Sequence, residues 1–330
     1  MKSAEAASAS SQTTWSPDLS LARFWTPRYW PMWIVLGALQ VAARLPLSWQ
    51  LAIGRRLGGL LRRVKRRELR TARRNLEICF PELDAAERED LLKRHFEAVG
   101  TSFIEMGVGW FAPLDALVAR VAVHGREHLE RALAAGKGAL LFCAHFTTLE
   151  LCVPAVLRVI TPRASCMYRP QRNAMMDVIL QRGRTRFARE QIPRDNVRAL
   201  LRNLRDNFAV VYMPDQTSLG KQSQLLPFFG EPAVTNTATT KLAKISGAAV
   251  LPFFFRRLPG TQGYRVDIGA PLPGFPSEDA AADSLRLFAL LESYIRLAPE
   301  QYLWLYKKFK GRPAPYTDVY AVSADRREPL

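Results

Sequence analysis

From residue 121 onward the chain alternates short apolar runs with stretches of helical spacing, and this alternation is what most limits the fold. The runs fall at 139–144, 164–168, 208–213, 248–255 and 264–268. Helical stretches lie at roughly 150–160, 173–189, 196–206, 236–246 and 280–297. Strands that alternate with helices predict an α/β domain in which a largely parallel central sheet is flanked by helices. No internal repeat and no second core is evident, so one α/β unit is expected over 121–313, followed by a tail at 314–330.

Ahead of it lies a different kind of sequence. Residues 1–24 open on a Ser-, Ala- and Thr-rich segment and are expected to form a disordered leader. No basic stretch leads into a long apolar one there, so a cleaved signal peptide is not expected. Residues 25–120 are expected to form a membrane-anchoring and basic helical region. Its first apolar stretch, "YWPMWIVLGALQVAA" at 29–43, is flanked by Arg28 and Arg44. As a helix it would be ~22 Å long at 1.5 Å per residue, against a hydrocarbon core of roughly 30 Å. It could be a tilted or bilayer-thinning anchor, an interfacial helix with Trp25, Tyr29, Trp30 and Trp33 as an aromatic belt, or a buried helix. Residues 55–74 then hold ten Lys or Arg. Beside a membrane such a cluster predicts that the remainder of the chain is cytoplasmic. Further on, Asp84 and Glu87 have the spacing of a capping box, and Leu91, Leu92, Phe96, Val99 and Phe103 come after them at helical spacing.

The charge balance, 47 Lys and Arg against 30 Asp and Glu, gives +17 at pH 7. Such a surface attracts anionic lipid, an acidic protein or an acidic substrate. No nucleic-acid motif accompanies it, so nucleic acid is not expected as a partner. Cys79, Cys143, Cys152 and Cys166 lack C-x2-C spacing and read as reduced, buried residues rather than a disulfide frame or zinc site. His124 and His128 stand four apart without an evident third ligand, and no metal is expected.

Three of the apolar runs end on a polar residue that packing does not explain: His145, Arg169 and Asp215. Ligands of open α/β sheets bind in the crevice beyond the carboxyl ends of the strands, so a base, a cation and a carboxylate would converge if these strands are neighbours. His145 also begins an H-x4-E pair with Glu150. On one continuous helix five residues turn about 500°, which leaves the side chains roughly 140° apart. They can meet only if His145 lies in the turn after the strand and Glu150 on the first turn of the next helix. In that geometry Glu150 would fix the imidazole tautomer and raise its basicity.

The ordered series "YWPMWIVLGAL", "RRNLEICFPEL", His145 to Glu150, "YRPQRN" at 168–173, "PDQTSLG" at 214–220, "LPFFGEPAVTNT" at 226–237 and "PEQYLWLYKKFKGRP" at 299–313 resembles the late acyltransferases of lipid A biosynthesis, within the lysophospholipid acyltransferase superfamily. The resemblance runs from about residue 25 over nearly the whole chain. It implies a Gram-negative inner-membrane protein with its catalytic domain on the cytoplasmic side, active in lipopolysaccharide biosynthesis. Such an enzyme moves a fatty acyl chain from acyl carrier protein to a hydroxyl of a phosphorylated glucosamine-disaccharide lipid, with no cofactor, metal or covalent acyl-enzyme. By resemblance His145 is the general base and Glu150 its orienting acid, while Arg169 and Asp215 shape the substrate site. Tyr306 stands where relatives often carry His. Acyl carrier protein, the acceptor's phosphates and the anionic inner leaflet would all favour a basic face, to which the 55–74 cluster and Lys307, Lys308, Lys310 and Arg312 are available. The rival readings are an acyltransferase acting on another glycolipid or lysolipid, a hydrolase using the same site, or a non-catalytic lipid binder at the membrane surface.

Overall fold

The computed structural model describes residues 19–217, 219–220 and 222–321; the remainder of the expected leader and of the tail lies outside the described residues. Four helices come first: α1 (Trp30–Ala42), α2 (Leu47–Val64), α3 (Arg66–Cys79) and α4 (Ala85–Phe111). The α4 start is capped as its sequence predicts. Asp84 accepts from the Glu87 amide at 2.8 Å, and Glu87 accepts from the Asp84 amide at 2.8 Å.

The crossing of α2 over α4 depends on small residues. A Cβ on Gly58 would lie 2.1 Å from the Phe96 carbonyl oxygen, and one on Gly100 would lie 2.2 Å from the Gly54 oxygen. Backbone therefore meets backbone at this crossing, and no side chain larger than hydrogen fits between. Among the described residues no helix is long and apolar enough to cross a membrane. α1 has 13 residues, ~20 Å of helix.

A short helix, α5 (Leu114–Val118), leads into β1 (Val121–His124), α6 (Arg126–Ala134) and β2 (Ala139–Phe142). Next in the chain are α7 (Leu149–Ile160), β3 (Ala164–Tyr168), α8 (Ala174–Arg184), β4 (Glu190–Pro193), α9 (Val197–Arg205) and β5 (Ala209–Tyr212). A hairpin of β6 (Ser223–Phe228) and β7 (Glu231–Asn236) interrupts the alternation before α10 (Ala238–Ser246), β8 (Ala249–Arg257), β9 (Tyr264–Ile268) and α11 (Ala280–Leu297). The hairpin turns at Phe229 and Gly230, both with positive φ (52° and 80°), as a two-residue turn that matches strand twist requires.

The main sheet has seven strands in the order β1-β9-β8-β2-β5-β3-β4. β8, β2, β5, β3 and β4 run parallel, whereas β9 is antiparallel to β8 and carries β1 parallel to itself. The sheet is thus largely parallel and flanked by helices, as the alternation predicts. β2 is buried along its whole length, which explains why it reads as an unbroken apolar run. The chain leaves β2 toward β3 on one side and, after β5, crosses back to β8 on the other. The crevice at this reversal opens beyond the carboxyl ends of β2 and β5. One apolar core joins Leu76, Leu91 and Phe96 of the N-terminal helices to Leu141, Val211, Leu251 and Phe288.

Candidate functional site

The site is built by register. β2 pairs with β5 so that Phe142 lies opposite Tyr212, and β5 pairs with β3 so that Val211 lies opposite Cys166. Carrying the first register three residues beyond each strand brings His145 level with Asp215. The strands ending in His145, Asp215 and Arg169 are therefore consecutive, and their convergence follows from pairing alone.

Asp215 is 1% exposed and His145 stands at the crevice wall. The imidazole Nδ1–H donates to Asp215 Oδ1 at 2.7 Å, and the His145 amide donates to Oδ2 at 3.1 Å. Tyr302 adds its hydroxyl to Oδ2 at 3.2 Å. These bonds fix the ring and the tautomer, leaving the Nε2 lone pair available. Burial by itself lowers the pKa of an imidazole, but the Asp215 charge and hydrogen bond outweigh it and leave His145 above its ordinary value. Burial likewise raises a carboxyl pKa, yet His145 holds Asp215 below its ordinary value.

The expected contact between His145 and Glu150 is replaced by this one. Glu150 sits on the first turn of α7 and accepts from Arg184 Nε at 3.1 Å and Nη2 at 2.5 Å, at the end of α8. The reason is geometric. Once His145 occupies the strand extension, the carboxylate in line with it is the one three residues past β5, while α7 carries Glu150 toward α8. A Cβ on Gly109 would lie 2.1 Å from the Glu150 carbonyl oxygen, so α4 also holds that first turn in place.

The turn bearing His145 is pinned from behind by the segment after α11. Thr147 donates its amide to Gln301 O and Leu303 donates its amide to His145 O, both at 2.9 Å. Phe146 packs edge-on against Phe255, Tyr294 and Tyr302, with ring centroids 5.7 to 5.8 Å apart. Asn75 on α3 donates to Trp304 O at 2.7 Å and Tyr306 O at 2.8 Å, which ties the "RRNLEICFPEL" stretch to the same strap. Sequence reasoning did not assign Tyr302, Asn75 or Arg184 to the site. Their signal was the aromatic density of "QYLWLYKKFK" and the Asn inside a basic helix, both open to other readings.

In front of His145 lies a cavity of about 910 Å³. Met213, Val197, Leu200, Leu201, Leu242 and Ile245 supply its apolar lining, and Arg169, Arg194, Lys241 and Lys310 add cationic groups. Arg169 and Asp215 thus separate in the structure: Arg169 is exposed at the cavity, whereas Asp215 lies behind the imidazole. Tyr306 also lines the cavity and donates its hydroxyl to Thr217 O at 2.8 Å. Cys143 is buried, and burial raises its thiol pKa well above the ordinary range, so it is no nucleophile.

The amino-acid sequence matches known proteins over most of its length. The family model for bacterial lipid A biosynthesis acyltransferases matches residues 20–311. The chain is 35% identical over 309 residues to the lipid A biosynthesis palmitoleoyltransferase of Escherichia coli strain K12, covering 92% of this chain and 99% of that protein. It is 36% identical over 289 residues to the lauroyltransferase of the same strain, covering 87% and 94%. A myristoyltransferase of that strain is 26% identical over 304 residues, covering 90% and 94%. The chain belongs to the bacterial lipid A biosynthesis acyltransferase family.

Proposed function

We propose that this lipid A acyltransferase moves a fatty acyl chain from the thioester of acyl carrier protein to a hydroxyl of a phosphorylated glucosamine-disaccharide lipid, with His145 as general base. The observation that carries the reading is an imidazole anchored through Nδ1 to a buried carboxylate, with its other edge at the wall of a large, mostly apolar cavity with cationic groups. Nε2 removes the proton from the acceptor hydroxyl as its oxygen attacks the thioester carbonyl. The C–O bond forms and the C–S bond breaks, and the phosphopantetheine thiolate leaves with the proton that His145 held. A positioned base of this kind is worth typically 10² to 10⁴ in rate. The negative charge on the tetrahedral oxygen is met by backbone N–H groups or by Arg169. In this reading Asp215 orients the base and Glu150 holds Arg184, so that α7 and α8 keep the site's shape.

The same reading places the protein at the cytoplasmic face of the inner membrane. Trp30, Ile34 and Val41 make an exposed apolar stripe on α1, and Trp49, Leu60 and Val64 are exposed on α2 together with Arg56 and Arg63. That mixture suits an interfacial helix pair better than a spanning one.

The test uses the full-length protein in detergent with acyl carrier protein thioester and a disaccharide precursor. Wild type is expected to form the acylated lipid and to release acyl carrier protein in equal amount. Donor consumption without lipid product would show a hydrolase instead. His145→Ala is expected to lose transfer at least 10²-fold while keeping its melting temperature; wild-type turnover in that variant would sink the base assignment.

A further inference from the structure

Lys308 reads in the sequence as one of a run of surface cations, yet it is 2% exposed. Its Nζ donates to the Asp215 backbone oxygen at 2.8 Å and lies over the rings of Phe228 and Phe288, 4.6 and 4.9 Å from their centroids. The contact is reciprocal, because Thr217 donates its hydroxyl to Lys308 O at 2.6 Å. An ammonium taken out of water is costly unless an opposite charge is close. Here the opposite charge belongs to the residue whose carbonyl it binds.

We propose that Lys308 is a positioning residue for the transfer reaction: its buried ammonium balances the Asp215 carboxylate, so that Asp215 orients His145 without fastening a second proton to it. The inference rests on the reading of His145 as general base.

Two cations could neutralise a carboxylate buried as Asp215 is. If protonated His145 alone did so, the base would rest with its proton already in place and could not accept one from substrate. With Lys308 charged, the Asp215–Lys308 pair is already neutral and the imidazole can be neutral too. Burial lowers the Lys308 pKa to about 8, against the opposing pull of Asp215, Cys79 and Glu292, while the carbonyl it donates to and the two ring faces beneath it suit the ammonium form. Among the described residues several charged and titratable groups face this set, including Cys143 just past β2, which feels the Asp215 charge. Cys79 ends α3, Glu292 comes from α11, Tyr302 and Tyr306 from the strap, and Arg184 acts on His145 from α8.

The experiment compares wild type with Lys308→Met, Lys308→Gln and Lys308→Arg in two measurements. The first is the pH dependence of kcat/KM for transfer. The second is the imidazole pKa of His145, followed by NMR in protein labelled at histidine and assigned with His145→Asn. Losing the charge is expected to raise both values by about one pH unit or more, with KM little changed. Lys308→Arg is expected to restore both. Lys308→Gln keeps a donor for the Asp215 carbonyl but no charge, so it should behave as Lys308→Met does, and it serves in its place if Lys308→Met does not fold. An unchanged His145 pKa in either uncharged variant would overturn the proposal. The NMR arm keeps the two ideas apart: full activity in His145→Ala would end the general-base reading, while the imidazole titration would still report on Lys308.

Discussion

The Nδ1–H of His145 points at Asp215 and the carboxylate of Glu150 points at Arg184, so the two acids make separable predictions. Asparagine at 215 could present its NH₂ to Nδ1 and so favour the wrong tautomer, an error worth ~10⁴ in kcat where a buried Asp orients a catalytic His. Asp215→Asn is therefore expected to lose about 10³- to 10⁴-fold in kcat and to lower the pKa that governs kcat/KM. The Asp215 charge and hydrogen bond hold the His145 pKa above its ordinary value, so with His145 as the proposed base, activity is expected to fall as pH drops through that pKa and the ring gains its proton. Glu150→Gln is expected to leave that pKa unchanged, whatever it does to turnover through the α7–α8 contact. A pH-rate profile of both variants checks this, and a shifted acid limb in Glu150→Gln with none in Asp215→Asn would reverse the assignment. His145, Arg169 and Asp215 were legible because each is a polar residue ending an apolar run, and adjacent strands bring such ends together. The partner of Glu150 was not legible, because a five-residue spacing across a strand-to-helix turn leaves the direction of the helix open. Lys308 was misread because composition counts a buried cation and an exposed one alike.

Two elements decide how the N-terminal helices hold the site. α2 and α4 touch through Gly54, Gly58 and Gly100, with no room for a methyl group. Gly58→Ala must push the helices apart, and is expected to lower stability by about 1 to 3 kcal/mol despite alanine's better helix propensity. Urea unfolding checks the sign, which is opposite to that expected at Gly59, on the same helix with open space where a Cβ would stand. α4 also carries His95, fully buried, whose Nδ1–H donates to Glu300 O at 2.9 Å while Nε2 has no hydrogen-bond partner among the described residues. Burial lowers its pKa from 6.5 to about 4, so the folded state binds fewer protons than the unfolded state between these values. Stability that is present above pH 6.5 is lost as pH falls toward 4, by roughly 3 kcal/mol in all. His95→Asn is expected to flatten that part of the stability curve, and an undiminished slope in the variant would remove the cause assigned to it. At this scale the long elements were legible: α4 announces itself by its capping box, and β2, β3, β5, β8 and β9 by short runs rich in apolar residues. β4 (Glu190–Pro193) was not legible because Glu190, Gln191 and Pro193 leave only Ile192 as an apolar residue in it. The β6–β7 hairpin escaped notice because Pro227 and Pro232 argue against strands, a rule that a two-stranded ribbon evades by pairing each strand on one side only.

Over the whole molecule the net charge of +17 is not spread evenly. Within 55–74, Arg62 and Arg73 pair with Glu89 and Arg74 pairs with Glu77, whereas Arg55, Arg56, Arg63, Lys65, Arg66, Arg67 and Arg70 stay exposed. On α2 the positions 49, 56, 60, 63 and 64 fall within about 100° of one another at 3.6 residues per turn. Trp49, Leu60 and Val64 on that stripe are 63%, 53% and 61% exposed, interleaved with Arg56 and Arg63. What sets this stripe apart from other exposed apolar side chains such as Leu297 is that its apolar groups and its cations alternate along one helix face. If this face meets a membrane as proposed, it would sit at the boundary between anionic headgroups and acyl chains, where each basic residue contributes on the order of 1 kcal/mol. The amino-acid sequence showed the clustering of charge but not which side of the helix faces outward, because the Gly54–Gly58 contact that turns α2 becomes visible only in the packing against α4. The full chain is therefore expected to sediment with vesicles containing phosphatidylglycerol and to dissociate from them as salt rises. Arg56→Gln combined with Arg63→Gln is expected to weaken partitioning roughly 10- to 30-fold, at about 1 kcal/mol for each charge removed. Trp49→Ser combined with Leu60→Ser is expected to weaken it at high and low salt alike, since apolar insertion is not screened. Equal partitioning of both double variants and wild type would mean that another face meets the bilayer.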